Sequence, residues 1–399
     1  LPGMVCGICE SGSFICEGTE SVRCEGDLGE AAFNVCGGCE PLIAEPEERC
    51  GPCGLGTYLC KDGRLTCEGE GECNHGDVCT SSGECSPGYC SNGRCAPEGF
   101  VYVEAGTFTM GAPPTERGFH RQRENGQHEV TFTRSLFVKE ATVTQAEWRA
   151  VFGNEPAYFE HCGEDCPVER VSWWEALAYA NALSRIEGLP ECYRLEECVG
   201  VIGDGCLSSA PNNGVSCNGS LCSIDILEEH FDPSCSGYRL PTEAEWEYVA
   251  RAGRTTAFLT ESGTLEEWSS SYLDEEMNRV AWYRANSAVN YGGGVECDDW
   301  YEEAALCGTH PVAQKEPNDW GFYDMTGNVW EMVWDWAGDY PEPGSFVVDP
   351  QGPLVGANKR MRGGPFGAEG YFLRVAYRAP LAIVARWNNV GFRLVRFSD

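Results

Sequence analysis

Residues 318–336, NDWGFYDMTGNVWEMVWDW, decide how this chain is read. Aromatic residues, acids, glycines and asparagines crowd together there, and neither an amphipathic helix nor an alternating strand has that pattern. The spacing of Asp324, Gly327, Asn328 and Glu331 implies a turn in which side-chain and backbone oxygens converge. Hard oxygen donors in such a turn suit a cation such as calcium. The competing reading is that the same groups cap the turn with no ion. Trp320, Phe322, Trp330, Trp334 and Trp336 supply the area to hold it, since one aromatic side chain can hide roughly 150–250 Å². The stretch therefore reads as a rigid core loop.

Outward from that loop, composition bounds the rest. A chain of 399 residues with 42% hydrophobic content and 12 Trp can fill a core and divide into two or three domains. The formal net charge of −34 excludes a nucleic-acid binder that works through clustered Lys and Arg on phosphates. The 25 cysteines, without zinc-type repeated ligand pairs, point to disulfides in an oxidising compartment. No apolar run is long enough to span a bilayer, and no basic-then-apolar leader stands at Leu1. The expectation is a secreted or cell-surface product whose leader has been removed.

Residues 1–95 form the first expected domain, a disulfide-rich β module holding fifteen of the cysteines, with few aliphatic runs. Without an apolar core, covalent bridges must supply the order. The segment repeats itself: Cys6, Cys9, Cys16 and Cys24 lie in CGIC-x6-C-x7-C, and Cys50, Cys53, Cys60 and Cys67 in CGPC-x6-C-x6-C. Each copy is expected to form a hairpin unit with two bridges. The run from Cys73 to Cys95, CNHGDVCTSSGECSPGYCSNGRC, resembles the short turns of epidermal-growth-factor-like modules, which serve as stalks or contact surfaces. A redox role for the CxxC pairs would need a βαβ context that is missing.

At residues 96–100 (APEGF) the composition shifts, and residues 101–110 read as a strand by their period of two. Residues 130–143 continue the alternation. His120 and His128 in the intervening charged loop lack a third ligand and read as surface histidines. Ser172 with Glu175, and Thr242 with Glu245, are capping boxes that start two helices. Glu243, Glu245 and Glu247 accordingly read as structural rather than as a catalytic carboxylate pair. Between the helices, residues 189–237 form an insertion with Cys192, Cys198, Cys206, Cys217, Cys222 and Cys235, enough for three bridges. Cys162 with Cys166, and Cys297 with Cys307, are close enough for local pairs. One cysteine of the first fifteen is then left over.

The signature around residue 324 is similar to the N-x-x-GLYDM-x-GNVWEW motif of the formylglycine-generating-enzyme, or sulfatase-modifying-factor, family. GTFTMG at 106–111, PVERVSWWEALA at 167–178, RLPTEAEWEYVARAG at 239–253 and the closing RGG…AYR…NNVGFR at 362–393 agree in order. The resemblance covers roughly residues 100–397 and implies an α+β, C-type-lectin-like domain over 100–399 with much irregular structure. It also implies an oxidase that converts a cysteine of a sulfatase peptide to formylglycine on a copper(I) ion held by two thiolates. The matching positions here are Ala368 and Leu373, the motif serine is Pro365, and no cysteine follows Cys307. A sister branch uses iron on three histidines of an added helical domain, whereas this chain has six histidines and a cysteine-rich module instead. Copper and iron are therefore not expected.

The same resemblance implies two calcium sites. One would use Asp324, the carbonyls of Gly327 and Val329, and Glu331; the other Asn286, the Ser287 carbonyl and Asp298 or Asp299. In lectin-like relatives the loops of the closing segment form a binding face. Here those loops contain Gly367, Ala368, Glu369, Tyr371, Phe372 and Leu373, followed by Leu381, Ile383 and Trp387. Their apolar character suits a protein partner or self-association. The expected function is thus binding or assembly outside the cell, with the oxidoreductase and a calcium-dependent carbohydrate binder as alternatives.

Overall fold

The computed structural model describes chiefly residues 88–118, 126–195, 235–265, 273–297 and 306–398, with short strands elsewhere. The chain divides into two compact units, Leu1–Glu98 and Gly99–Asp399. Among the described residues no helix is long and apolar enough to cross a membrane.

In the first unit the two sequence repeats adopt the same pairing. Gly12–Glu17 pairs antiparallel with Ser21–Gly26, placing Phe14 opposite Cys24. Gly56–Lys61 pairs with Arg64–Glu68, placing Tyr58 opposite Cys67. The bridges expected within these repeats lie outside the described residues, as does the leftover cysteine. Towards the end of the unit Cys79 joins Cys90 and Cys85 joins Cys95, an interleaved pair closing short loops around a small sulfur-rich core.

The second unit begins with β1 (Phe100–Val103) and β2 (Thr107–Met110). The single strand expected over residues 101–110 is thus two, and they join different sheets. It is followed by β3 (His128–Thr131), β4 (Leu136–Lys139), α1 (Gln145–Phe152), α2 (Trp173–Ile186), α3 (Glu243–Arg251) and α4 (Glu275–Val280). The closing half carries β5 (Trp330–Trp336), β6 (Phe346–Val348), β7 (Lys359–Arg362), β8 (Ala379–Leu381), β9 (Val390–Phe392) and β10 (Val395–Phe397). These strands form three sheets, ordered β2-β3-β6, β10-β4-β1 and β8-β7-β5-β9. β5 is antiparallel to β7 and parallel to β9.

Both expected capping boxes are formed: Ser172 Oγ accepts from the Glu175 N–H and Thr242 Oγ1 from the Glu245 N–H, each glutamate reaching back to the cap N–H. A third, Thr144 with Glu147, starts α1 and has the same T-x-x-E signal. The main core joins β1, β4, α3 and β10 through Val101, Val138, Trp246, Val249 and Val395, with Phe322, Met325 and Val333 of the aromatic stretch packed into it. In the insertion Cys192 is bonded to Cys235, and Cys162–Cys166 and Cys297–Cys307 are bonded locally. The side chains of Cys198, Cys206, Cys217 and Cys222 lie outside the described residues.

Candidate functional site

The deciding turn is built by its own polar groups. Asn318 donates from Nδ2 to the carbonyls of Val249 and Ala250, while its Oδ1 accepts from the N–H groups of Trp320 and Phe322. One side chain thus satisfies carbonyls at the end of α3 and folds the loop back on itself. Asp324, Gly327 and Asn328 all have left-handed backbone, with φ of 53°, 87° and 61°. At Gly327 a Cβ would come within 2.2 Å of the Trp282 carbonyl oxygen, so no other residue fits. Asn328 clasps the backbone of His310, accepting from its N–H and donating to its carbonyl, both at 3.0 Å.

The acids of this turn differ. Glu331 is fully buried and forms a two-pronged pair with Arg393 at 2.6 Å, and it also accepts from Trp246 Nε1 at 2.8 Å. Asp324 is buried without such a partner: Oδ2 accepts from the Ala313 N–H at 2.8 Å, and Oδ1 has no hydrogen-bond partner. Burial pushes its carboxyl up to about 6. An open, buried carboxylate oxygen beside a left-handed turn fits a hard cation. Glu331 is already neutralised by Arg393, so any ion there would share that carboxylate with a guanidinium.

The second calcium set fits less well. Asn286 spends its amide on Asn278 Oδ1 and the Ala281 carbonyl, and its Oδ1 accepts from the Tyr283 N–H. The Ser287 carbonyl accepts from the Gly308 N–H at 3.2 Å. Asp298 and Asp299 lie outside the described residues.

Where the resemblance would place two copper thiolates, the structure places core. Ala368 and Leu373 belong to one apolar cluster with Phe258, Leu265, Met277, Ala281 and Tyr283. The family's copper does not fit these residues, which offer no donor. The expected binding face is corrected by the same packing. Ala368, Leu373 and Leu381 are buried at 5%, 0% and 0% exposure and cannot meet a partner, whereas Gly367, Glu369, Tyr371, Phe372, Ile383 and Trp387 are half-buried. The physical reason is that Ala368 and Leu373 turn inward onto Phe258, Leu265 and Met277, an apolar cluster that their side chains help to fill. Glu369 is also held, accepting from Arg284 at 2.9 Å.

The other framework residues form buried ion pairs. Glu243 pairs with Arg378 and Arg362, and Glu247 with Arg251 and Arg362. Burial pushes Glu243 up, but the guanidinium charges of Arg378 and Arg362 outweigh it and hold the carboxyl low. Asp335, which accepts from the Glu243 N–H at 2.7 Å, is pushed the other way by burial and by the Glu243 charge. The structural reading of the three helix acids thus agrees with their contacts, Glu245 being paired with Arg239. His128 differs from its reading as a surface residue: it is 3% exposed, with Nδ1 2.6 Å from the Gly126 carbonyl and its ring edge-on to Tyr340. His120 lies outside the described residues.

Two features escaped the sequence reading. Glu169 is fully buried with Oε1 accepting from the Phe159 N–H, and burial raises its carboxyl to about 8. The second is a tryptophan-lined cleft whose signal in the sequence was the uncharged run QGPLVGA at 351–357.

With this geometry in place, the comparisons with known proteins are informative. Residues 90–398 match the sulfatase-modifying factor enzyme 1-like domain. The chain is 35% identical over 204 residues to chaperone protein LppX of Paenibacillus barcinonensis, covering 50% of this chain and 62% of that protein. It is 31% identical over 175 residues to the formylglycine-generating enzyme of Streptomyces coelicolor, covering 41% and 48%. It thus spans about half the length of the curated relatives it matches. Among solved structures, Treponema denticola variable protein 1 superimposes with a TM-score of 0.53 at 28% identity, covering 74% of this chain and 94% of that one. The chain belongs to the sulfatase-modifying factor family, with an α+β domain of that fold behind a disulfide-rich module.

Proposed function

We propose that this protein is an exported, non-catalytic member of its family that holds a polypeptide partner in surface or extracellular assembly. The observation that carries the reading is the packing of Ala368 and Leu373 together in an apolar cluster. Copper(I) chemistry requires soft thiolates, and the described cysteines of the second unit are joined in disulfides. A relative whose name is that of a chaperone fits a role in which a polypeptide is held rather than modified. The disulfides agree with an oxidising compartment. The test is to incubate the purified chain with copper(I), oxygen and a cysteine-containing sulfatase peptide. The expected result is an unchanged peptide mass; aldehyde formation, or one copper per chain resistant to dialysis, overturns the reading.

The turn at Asp324 supports a structural calcium ion in addition. Asp324 Oδ1, the carbonyls of Gly327 and Val329, and Glu331 would hold it, and the ion would supply only charge and rigidity there. Chelator is expected to lower the melting temperature of the wild type and to leave Asp324→Ala unaffected. Equal melting with and without chelator would reduce the turn to a protein-only cap.

A further inference from the structure

β6 (Phe346–Val348) is the outer strand of the β2-β3-β6 sheet, and among the described residues no strand pairs with its far side. It lies parallel to β3, with Phe346 beside Glu129 and Val348 beside Thr131. The Ser345 carbonyl accepts from the Glu129 N–H at 2.9 Å, and the Asp349 N–H donates to the Thr131 carbonyl at 3.0 Å. Backbone groups alternate in direction along a strand. With those of residues 345, 347 and 349 turned towards β3, the N–H and C=O groups of Phe346 and Val348 point out of the sheet edge. Val347 pins the strand from beneath, packed against the cluster of Met110, Val130 and Phe132.

The side chains of this edge are unusual. Folded proteins blunt an open edge by placing Lys or Pro on it or by covering it. Here Phe346 and Val348 are 57% and 49% exposed, and the prolines stand outside the strand, at Pro343 and Pro350. Exposed acids surround it: Glu129 on the neighbouring strand, Glu342, whose carbonyl accepts from the Ser345 N–H, and Asp349 at the strand's end. The Asp349 carboxylate accepts from the Thr133 N–H and Oγ1, and none of these acids is in an ion pair among the described residues.

These features specify the occupant. Backbone donors and acceptors spaced as in a ladder are satisfied by another extended backbone, not by a sugar, a lipid headgroup or a helix. Carboxylates beside and at both ends of the strand attract Lys or Arg. They disfavour a second copy of β6, whose own Glu342 and Asp349 would meet the same groups. An antiparallel strand added here sets residues directly opposite Phe346 and Val348, with side chains on the same face, where apolar residues pair best. Resting on the reading of this protein as a holder of polypeptide, we propose that the free edge of β6 takes an extended antiparallel segment of a partner polypeptide, apolar at alternate positions and basic at its ends.

The test titrates the full chain with the peptide Lys-Thr-Val-Thr-Val-Thr-Lys by calorimetry. Binding is expected, weakened about tenfold or more when both valines are N-methylated, because each then loses the N–H it gives to β6. Val348→Pro should weaken binding of the unmodified peptide similarly, since proline removes the outward N–H and leaves the bonds to β3 in place. Should that variant melt early, the N-methylated peptide on the wild-type chain carries the test, the protein being unchanged. Equal affinity for a peptide with glutamates in place of its lysines overturns the basic flanks. Binding that neither N-methylation nor Val348→Pro alters overturns the edge assignment and leaves polypeptide binding by another face intact. Absence of peptide binding, or a dimer in sedimentation that Val348→Pro dissolves, overturns the proposed occupant. Copper-dependent oxidation of the sulfatase peptide would remove the underlying reading of a non-catalytic holder, whatever the edge binds.

Discussion

Two apolar stretches of the closing segment, residues 367–373 and 379–385, end in opposite places. The first turns inward, and Ala368 and Leu373 join the cluster around Phe258 and Met277. The second follows a sheet edge at β8 and leaves Pro380, Ala382 and Val384 exposed beside the tryptophan cleft. Both are flanked by buried arginines: Arg362 and Arg374 bracket the first, Arg378 and Arg386 the second. Anchoring is therefore not what separates them. The difference lies in what each meets: the first packs Ala368 and Leu373 against α4 and Phe258, whereas the second buries Ala379, Leu381 and Ala385 and turns Pro380, Ala382 and Val384 to solvent. Apolar composition predicts that a loop will seek a surface to cover, but not whether that surface belongs to the same molecule.

The largest way to break this contrast is at Arg362, whose Nη2 donates to the Val375 carbonyl just beyond the buried loop and which also pairs with Glu243 and Glu247. Arg362→Met should cost about 3–5 kcal/mol by chemical denaturation, because it leaves two acids buried with fewer partners. A loss below about 1 kcal/mol would show that the pair adds nothing to folding. Next, Leu373→Ala should cost about 2–5 kcal/mol through the cavity it opens. The loop would be a surface element after all if that variant unfolded at the wild-type denaturant midpoint.

A pH measurement sharpens the contrast from beneath the buried loop, where Phe159 packs edge-on against Phe366 at 5.4 Å and its N–H is held by Glu169. Glu169 is raised from an ordinary 4.5 to about 8 by burial. The folded state therefore keeps a proton that the unfolded state releases, so this group's contribution is complete below pH 4.5 and declines as pH rises towards about 8. Glu169→Gln should remove that decline, on the order of 2 kcal/mol between pH 5 and pH 8. Parallel stability profiles for the two proteins would contradict it. The smallest effect belongs to the exposed side: Leu354→Ala should change stability by less than about 0.5 kcal/mol, since its side chain is mostly in solvent. A larger loss would mean that the 351–357 loop is part of the fold rather than free to meet a partner.

Much of the architecture was legible because it rests on local signals. The capping boxes at Ser172 and Thr242 involve residues three apart, and the local disulfides Cys162–Cys166 and Cys297–Cys307 close short loops. A turn at Gly327 was expected from residue type and spacing, whereas the left-handed backbone of Asp324 and Asn328 beside it was not. His128 was misread because its burial depends on Tyr340, far away in the chain. The break between β1 and β2 was hidden because it depends on their pairing with different strands, β4 and β3, further along the chain.

By itself the sequence determined the family, the presence of Ala368 and Leu373 where the family's motif has cysteines, and the cysteine-rich character of the first unit, because each depends on which residues are present. Only the tertiary structure decided which apolar loop is core and which is surface, that Glu331 is neutralised by Arg393 while Asp324 keeps an open oxygen, and that four tryptophans from α2 and β5 share one cleft. Burial and pairing are properties of neighbours distant along the chain, and spacing in a sequence does not specify where those neighbours stop.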